Sequence, residues 1–534
     1  MKRLNRREFI ALSGLTVGGL TLGSRLLNTQ ALAQIATGAF PSLAQIPTRT
    51  LEPGLLEANL IARQGATTIG GQPAKLLTYG GSLLRVKAGE TLRINFTNKL
   101  EQPTNLHWHG LHASPSLDDP FRMVAPGGSI SVDYPVPKDA SGLNWFHPHH
   151  HGVVAEQQFA GLTGAIAIES DLDAAFKEAE EHVILLRDYA LEKGLPAKHT
   201  MMDWMNGKEG NLQGVNAAIK PTLRPQKSLV RLRIVNAANA RYFRLKLENH
   251  PLYLIGTDGG FLERPVELTE LLIAPGERAD VIVRLERAGT YRLQNLPYER
   301  GKMKMGGMMG GMNMGDSGNS STGDSGMGGM NMGDSSNSGT GNSGMGNSGM
   351  GGMNHSGTSD TGGMDHSGMA GMSTGGDSQP VTLMVLNVPK LSKPSELPSR
   401  LATIPVLETG PSAVTRTITL TEKMMQMKFF LNGKSFDGNR VDISGKLGTL
   451  EVWELVNKSD MDHPFHLHSF PFQVISRNGR PEPYRAWRDV VNLKKDDRLR
   501  IAVPLSDFTG KTVYHCHVLE HEDRGMMGVL EVTA

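Results

Sequence analysis

The sequence predicts an all-β protein built from three related Greek-key β-sandwich domains. Its apolar residues alternate over short stretches that Gly, Pro and Asn interrupt, which is typical of such sandwiches, and helical periodicity is scarce. One strand pattern ending in Asn recurs three times, at residues 91–98, 230–236 and 450–457. The 534 residues also exceed a single domain, since domains usually have roughly 100 to 200 residues.

A second repeated signature supports the same division. Ala125-Pro126-Gly127 and Ala274-Pro275-Gly276 each lead into an apolar strand, and a third copy at residues 494–497 keeps the strand without Pro-Gly. The middle copy retains only His250 where the outer copies carry histidine clusters, so we expect the middle domain to hold no metal and to act as a spacer. The predicted domains are residues 45–170, 175–395 and 405–534.

The N-terminus has the features of an export signal. Arg6-Arg7 precedes an apolar stretch, and Ala31-Leu32-Ala33 supplies small residues for cleavage. The paired arginines predict a twin-arginine signal peptide over residues 1–33, a mature chain from near Gln34 and a periplasmic location. An uncleaved membrane anchor is the alternative. No other segment reaches the roughly 18 apolar residues of a spanning helix, so we expect no stable membrane insertion.

Charge and cysteine content exclude further classes of protein. A net charge of +2 gives no electrostatic basis for binding nucleic acid. Cys516 is the only cysteine, so no intramolecular disulfide can form even in an oxidising compartment. Stability must then come from packed cores and bound metal, and we expect a monomer.

A segment rich in Gly, Ser, Asn and Met interrupts the middle domain at residues 301–376. It holds 15 of the 27 methionines of the chain, from Met303 to Met372. Such a composition cannot bury a core and predicts disorder. A plain flexible linker would explain the Gly and Ser, but exposed thioethers oxidise easily and soft thioethers select Cu(I). The composition therefore favours a copper-recruiting loop over a bare linker.

Pairs of histidines two residues apart are the most specific signal. Eighteen histidines in this length predict about 0.6 such spacings by chance, and the sequence has five. Each pair places two imidazoles on one face of a strand, and imidazole suits copper. The pairs are His107/His109, His147/His149, His149/His151, His466/His468 and His515/His517.

The lone cysteine lies inside the last pair. Cys516 has His521 five residues later and Met526 five residues further on, and His463 is the natural second imidazole for a blue-copper site. His515 and His517 point to the opposite face of an extended strand, where they can serve a second metal centre. The alternative is a buried free cysteine between two ordinary histidines.

The remaining pairs predict where that second centre lies. Two pairs belong to the first domain and two to the third, so a trinuclear copper cluster can assemble only where those domains meet. His150 and His151 are left over and are interpreted as peripheral. Asp118 and Glu522 are the carboxylates expected to orient ligand rings, although any single carboxylate is more often a solvated surface charge.

With these motifs, the chain resembles the three-domain multicopper oxidases, and most closely the bacterial copper-efflux (cuprous) oxidases. The resemblance spans the mature chain and implies cupredoxin-like domains, four copper ions, and Asp118 and Glu522 as proton-relay carboxylates. It implies type 1 copper on His463, Cys516, His521 and Met526. It implies type 2 copper on His107 and His466. It implies the type 3 pair on His109, His147, His149, His468, His515 and His517.

The chain departs from the efflux oxidases near the substrate-copper site. The methionine-rich segment lies in the second domain here and in the third domain in that family. Met461 matches a family methionine, but Ser459 stands where a carboxylate is expected, with Asp460 one residue along. Met461 and Asp460 are thus the candidate substrate-copper residues. Further methionines of suitable chemistry, or of the core, are Met424, Met425 and Met427.

The predicted function is a periplasmic oxidase in copper tolerance. It would take one electron at a time from Cu(I), with phenols or aromatic amines as further reductants, and reduce dioxygen to water. A laccase-like phenol oxidase is the first alternative. A non-enzymatic copper-sequestering protein is the second, and a cell-division relative that keeps the fold without the metals is the third.

Overall fold

A computed structural model describes residues 38–302, 378–410, 413–423 and 426–534. The predicted signal peptide over residues 1–33 lies outside these residues. So does the methionine-rich insertion apart from Gly301 and Lys302. No helix among the described residues is both long and apolar enough to cross a membrane.

The first domain is a sandwich of two sheets. One sheet has the order β1-β2-β5-β7 with β3 paired to β2, and the other has the order β4-β9-β8-β6. Its elements are β1 (Thr48–Glu52), β2 (Leu55–Ile69), β3 (Gln72–Thr78), β4 (Leu83–Lys87), β5 (Thr91–Asn98), β6 (His107–His109), β7 (Ser129–Pro135), β8 (Gly142–His147), α1 (Val154–Phe159) and β9 (Gly164–Glu169).

The second domain follows a short 3-10 helix over Asp171–Phe176. Its sheets have the orders β13-β10-β15-β20-β17-β18 and β14-β22-β21-β16-β19, beside the hairpin β11-β12. The elements are β10 (Glu180–Tyr189), β11 (Leu191–Glu192), β12 (Leu195–Pro196), α2 (Met201–Asn206), β13 (Leu212–Val215), β14 (Thr222–Leu223), β15 (Leu229–Asn236), β16 (Phe243–Leu247), β17 (Leu252–Thr257), β18 (Gly260–Leu268), β19 (Leu271–Ile273), β20 (Arg278–Arg284), β21 (Gly289–Leu296) and β22 (Val381–Val388).

The third domain repeats the plan with sheets ordered β24-β23-β26-β31-β28-β29 and β25-β33-β32-β27-β30. The elements are β23 (Val414–Lys423), β24 (Lys428–Leu431), β25 (Ile443–Lys446), β26 (Thr449–Asn457), β27 (His463–Leu467), β28 (Gln473–Arg477), β29 (Arg480–Pro481), β30 (Val490–Leu493), β31 (Arg498–Leu505), β32 (Gly510–Cys516), α3 (Leu519–Asp523) and β33 (Met527–Thr533). The predicted all-β class of three sandwiches is confirmed, while the domain limits remain predictions.

The three domains share one strand topology. In each, a long strand pairs in parallel with the repeated Asn-ending strand: β2 with β5, β10 with β15 and β23 with β26. Each Asn-ending strand then pairs antiparallel with the strand after the second signature, namely β7, β20 or β31. The inward-facing residues of each sandwich form a separate apolar core.

The repeated Asn has the same structural task in each domain. Asn98, Asn236 and Asn457 are buried, and each side-chain oxygen accepts the backbone N–H two residues later. Each amide donates to the carbonyl just before the second signature, on Val124, Ile273 or Leu493. These bonds satisfy backbone groups that the end of the strand would otherwise leave buried and unpaired.

The second signature closes against that Asn through a residue with positive φ. Gly127 has φ of 77° and Gly276 has φ of 86°, a conformation that glycine adopts without a steric penalty. Asp496 takes the same place in the third domain with φ of 64°. Asp is one of the few other residues that tolerate this conformation, so the turn persists although Pro-Gly is missing.

Candidate metal centres

Strand pairing brings the histidines together within each outer domain. In the first domain β6 pairs antiparallel with β8, which sets His107 opposite His147. In the third domain β27 pairs antiparallel with β32, which sets His466 opposite His515. Because residues two apart on a strand share a face, each pair directs both rings to one side of its sheet.

The structure then brings all eight of these rings together where the first and third domains meet. His107 stacks on His468 with ring centroids 3.8 Å apart. His109 stacks on His466 at the same distance. All eight side chains are buried. This eight-histidine cluster comprises His107, His109, His147, His149, His466, His468, His515 and His517.

Bare ring nitrogens converge inside the eight-histidine cluster. The Nδ1 atoms of His147, His466 and His515 donate to the backbone carbonyls of Pro148, Asp489 and Cys516 at 2.8 to 3.0 Å. A neutral imidazole has one N–H, so the Nε2 atom of each ring carries only a lone pair. The Nε2 atom of His515 lies 3.1 Å from that of His468 and 3.2 Å from that of His149. Ring nitrogens at these separations face a common space, where one metal ion can accept lone pairs from more than one ring.

Burial keeps these rings in the ligand form. It lowers the pKa of His107, His109, His147, His466 and His468 well below the ordinary value. Burial likewise lowers the pKa of His149 to about 4 and that of His517 to about 3. A neutral imidazole is the form that binds a metal, so the cluster is ready to bind copper near neutral pH.

Asp118 lies at one edge of the cluster. Its Oδ2 atom is 2.8 Å from Nδ1 of His107 and 3.8 Å from Nδ1 of His468, and its Oδ1 accepts the N–H of Trp108. Burial raises the pKa of the Asp118 carboxyl to about 8. The predicted contact of Asp118 with a ligand ring is therefore present.

Glu522 also borders the cluster and has no exposed surface. Its Oε2 atom is 3.1 Å from Nδ1 of His515, and its Oε1 atom is 3.5 Å from Nε2 of His149. Burial raises the pKa of Glu522, but the nearby His515 and His149 outweigh it and hold the pKa well below the ordinary value. Two carboxyl groups thus contact the cluster, one with a raised pKa and one with a lowered pKa.

A second group of ligand atoms surrounds Cys516 inside the third domain. The Nδ1 atom of His463 is 3.3 Å from Sγ of Cys516 and 3.2 Å from Nδ1 of His521, and the Nδ1 atom of His521 is 3.8 Å from Sγ. Met526 is fully buried, and its backbone bonds to both Cys516 and His521. These four residues are called the Cys516 cluster below.

The Cys516 cluster has the donor atoms to hold a metal ion. Burial raises the pKa of the Cys516 thiol well above the ordinary value, so the free side chain stays protonated. The N–H of Val518 nevertheless donates to Sγ at 3.3 Å, which suits a thiolate. Two imidazole nitrogens and one sulfur, all within 4.8 Å of one another, match the trigonal donor set of blue copper.

Profiles of one protein family match most of the chain. Three profiles described as multicopper oxidase match residues 63–173, 180–307 and 409–534. The chain belongs to the multicopper oxidases. Members of this family use copper cofactors and oxygen as electron acceptor, which accounts for the donor sets of both clusters.

Relatives and solved structures agree with this assignment. "Multicopper oxidase mco" of Staphylococcus haemolyticus is 28% identical over 473 residues, covering 86% of this chain and 84% of the relative. A multicopper oxidase from Campylobacter jejuni, described as a metallo-oxidase, superposes with a TM-score of 0.75 at 28% identity, covering 94% and 96% of the two chains. The laccase-like multi-copper oxidase CueO of Ochrobactrum sp. has a TM-score of 0.71 at 27% identity, with coverage of 92% and 99%.

A differently named group of relatives also matches this multicopper oxidase. The cell division protein FtsP of Yersinia pestis is 25% identical over 558 residues, covering 99% of both chains. This chain carries both convergent ligand clusters, and their geometry is what an oxidase needs.

The middle domain of this multicopper oxidase, predicted to be a spacer, contacts residues that lie beside both clusters. Its Arg278 donates two hydrogen bonds to Asp489, and Oδ1 of Asp489 lies 3.2 Å from Nε2 of His109. Its Asn239 donates to Glu520, a neighbour of the ligand His521. Arg278 lies two residues after the Ala274-Pro275-Gly276 signature, but nothing in the sequence indicates its partner.

Two residues near His463 were also missed as contacts. The Oγ atom of Ser459 lies 2.7 Å from Nε2 of His463, and a carboxylate oxygen of Glu422 lies 3.9 Å from the same nitrogen. The sequence indicates Ser459 only as a departure from the family pattern. Glu422 comes from β23, about 40 residues earlier, so its approach depends on sheet pairing.

The two candidate substrate-copper residues differ in solvent exposure. Met461 has no exposed surface and belongs to the core of the third domain. The carboxylate of Asp460 is exposed and pairs with Lys495 at 2.7 Å. Met427 packs against the same core, whereas Met424 and Met425 lie outside the described residues.

The two histidines interpreted as peripheral contact residues outside both clusters. His150 bonds to the carbonyl of Pro103, and His151 contacts Phe436.

Proposed function

We propose that this multicopper oxidase works in the periplasm, takes electrons singly from Cu(I), and reduces dioxygen to water with four electrons as part of copper tolerance. The observation that supports it best is the join between the two clusters. Cys516 belongs to one cluster, and its neighbours His515 and His517 belong to the other. An electron accepted at the Cys516 cluster therefore has only one peptide bond to cross to reach a residue of the eight-histidine cluster, where oxygen would be reduced.

The proposed copper ligands follow the two clusters. Copper, when bound, supplies the one-electron redox chemistry that the side chains lack. Type 1 copper is assigned to His463, Cys516, His521 and Met526. Type 2 copper is assigned to His107 and His466. The type 3 pair is assigned to His109, His147, His149, His468, His515 and His517, giving four ions in all.

The protein supplies positioning, exclusion of water and protons. The rings are buried, and backbone carbonyls fix the Nδ1 atoms of His147 and His466. Asp118 and Glu522 are proposed as the proton-relay groups, because each is a buried carboxyl in contact with a different ring of the eight-histidine cluster. Reduction of dioxygen to water consumes four protons, so such groups are needed at the buried cluster.

The path of the chain before the insertion supports Cu(I) as the reductant. The N–H of Asp462, the residue before His463, donates to the carbonyl of Arg300 at 2.7 Å. Gly301 lies so close to this loop that a Cβ there would be 2.2 Å from the carbonyl oxygen of Asp460. The chain thus passes the Cys516 cluster immediately before its methionine-rich stretch begins. Although the insertion belongs to the second domain in sequence, it starts beside the third.

The matching experiment compares two reductants on copper-loaded protein. Replacing residues 304–375 with a short Gly-Ser linker keeps Gly301 and Lys302 in place. We expect this variant and Met461→Leu to lose Cu(I) oxidation selectively while phenol oxidation is kept. Asp460→Asn tests the second candidate residue in the same assay. If none of the three changes separates the two reductants, the laccase-like alternative, with phenols or aromatic amines as substrates, replaces the cuprous proposal.

The non-enzymatic alternatives are tested by oxygen uptake. A copper-sequestering protein, or a role like that in the name of the FtsP relatives, requires no turnover. We expect the copper-loaded chain to consume oxygen with a reductant, and Cys516→Ser to abolish this. A wild-type protein that binds copper without oxygen uptake would favour sequestration.

Location is tested separately through the export signal. Changing Arg6 and Arg7 together to Lys should hold the protein in the cytoplasm, because twin-arginine export reads that pair. Fractionation of cells expressing both forms measures the result. Equal periplasmic amounts would contradict the proposed route.

A further inference from the structure

We propose that Arg278 of the middle domain is a positioning residue for the eight-histidine cluster, acting through Asp489 on His109 and His466. The inference rests on the ligand assignment proposed above. It gives the domain without copper ligands a defined task at the oxygen-reducing site.

The pair of Arg278 and Asp489 is a buried, two-pronged ion pair across domains. Nη1 of Arg278 donates to Oδ1 of Asp489 at 2.6 Å, and Nη2 donates to Oδ2 at 2.5 Å. The guanidinium is only 1% exposed. Asp258, also buried, accepts the backbone N–H of Arg278 at 2.7 Å and so fixes the start of β20. The guanidinium therefore has little freedom to move.

Asp489 passes this restraint to two ligand rings. Its Oδ1 accepts from Nε2 of His109 at 3.2 Å, and its backbone carbonyl accepts from Nδ1 of His466 at 2.8 Å. With its proton on Nε2, His109 must present Nδ1 to the metal. That Nδ1 is buried and has no hydrogen-bond partner among the residues that the structure describes. His109 and His466 stack on each other, so one carboxylate residue controls both rings.

Asp489 could instead bind metal itself, since its carboxylate lies within 4.8 Å of ligand atoms of His109 and His466. The pairing with Arg278 argues against this. Each carboxylate oxygen already accepts a hydrogen bond from the cation, and an adjacent metal ion would have to compete with that positive charge. The geometry fits a carboxylate that orients ligands.

The internal repeat provides a comparison for Arg278. The equivalent positions, two residues after the positive-φ residue of each turn, are Ser129 and Arg498. Ser129 is exposed and contacts Thr97 of its own domain. Arg498 is exposed and pairs with Glu454 of its own domain. Only in the middle domain does this position reach a neighbouring domain as a buried cation.

The test compares Arg278→Gln with Arg231→Gln. Arg231 forms another buried, two-pronged pair in the middle domain, with Asp280, away from the ligand rings. Both variants leave a buried carboxylate without its main partner and should lower the thermal stability of the copper-free protein similarly. Only Arg278→Gln should weaken copper binding at the trinuclear site, by roughly 10- to 100-fold in chelator competition.

Spectra of the copper-loaded proteins separate positioning from general damage. Arg278→Gln should keep the blue absorption of the Cys516 cluster while losing the absorption and paramagnetic signals of trinuclear copper. Arg231→Gln should keep both. Arg278→Lys, which keeps the charge but not the two-pronged geometry, should fall between Gln and wild type, and it serves if Gln does not fold. Identical trinuclear copper content and spectra for the Arg278 and Arg231 variants would overturn the proposal. Failure of the wild type to load copper would instead reject the ligand assignment.

Discussion

The two clusters of this oxidase are built in different ways. The Cys516 cluster lies within one domain, and its ligands come from β27, the end of β32 and the turn through α3. The eight-histidine cluster forms where the first and third domains meet, and Arg278 of the middle domain holds Asp489 beside it. The donor atoms of the first site all come from the third domain, whereas the second site depends on how three domains dock. A substitution in the Cys516 cluster should therefore affect that cluster alone, and a substitution at the domain contacts should affect the eight-histidine cluster alone.

The largest effect is expected from Cys516→Ser. The change removes the sulfur through which the peptide link to His515 and His517 receives electrons, so oxidation of any reductant should fall to the background rate. The blue absorption should vanish, while trinuclear copper, measured by elemental analysis and paramagnetic resonance, should remain. Loss of all copper would show that the sites do not load independently.

Gly276→Ala should break the docked cluster while sparing the local one. An added Cβ would lie 2.9 Å from the His517 ring and 3.2 Å from the His109 ring, at a φ of 86°. Overpacking and backbone strain together should cost about 1 to 3 kcal/mol of unfolding free energy and lower trinuclear copper content. Chemical denaturation and metal analysis measure the two consequences.

Gly127→Ala is the matched control for that change. Gly127 holds the equivalent turn in the first domain at a φ of 77°, with no atom within 4 Å of an added Cβ. It should lose only about 1 kcal/mol through the positive φ and keep its copper. Equal copper loss in both variants would mean that the strained turn, and not contact with the rings, is responsible.

Glu209 forms ion pairs with Arg300 and Arg241 close to the loop before His463. Acid should weaken these ion pairs. Burial raises the pKa of Glu209, but Arg300 and Arg241 outweigh it and lower the pKa to about 2. Because the folded-state pKa is depressed, the stabilisation is complete above the unfolded value near 4.5 and is lost as pH falls toward 2. Glu209→Gln should therefore be less stable than wild type by about 1 to 3 kcal/mol at pH 7. The difference should shrink between pH 4.5 and 2 and be absent below that range. A pH-independent difference would contradict the ion-pair origin.

Asp496→Gly should have the smallest effect. Asp496 occupies the repeated turn of the third domain at a φ of 64°, which glycine adopts more easily. Relief of strain, offset by greater freedom of the unfolded chain, should change stability by less than about 1 kcal/mol. Copper content and spectra should match wild type, because neither cluster contacts this turn through Asp496. A spectral change would show that the turn acts on the sites from a distance.

Much of the fold was predictable because its signals are local. A strand ending in Asn was recognised three times, since the same side-chain bonds close each strand on its following turn. The His-x-His pairs were equally readable, because strand alternation alone directs both rings to one face. The meeting of the first and third domains followed from dividing four pairs between them.

What the sequence did not reveal depends on packing between distant segments. Asp489 lies 380 residues from His109, and its partner Arg278 comes from a domain without ligands. Glu422 reaches His463 only because β23 lies beside β26 in the sheet. From the sequence alone, the buried Arg278 cannot be distinguished from Arg498, which occupies the equivalent position in the third domain and is exposed.

The bridge from Arg278 to Asp489 limits how far this enzyme could be simplified. Excising the middle domain to obtain a compact two-domain catalyst would leave every proposed copper ligand in the polypeptide. It would also leave the Asp489 carboxylate buried beside the eight-histidine cluster without its counter-ion. A miniaturised design would have to supply a substitute cation at that position or replace Asp489 with a neutral hydrogen-bond acceptor.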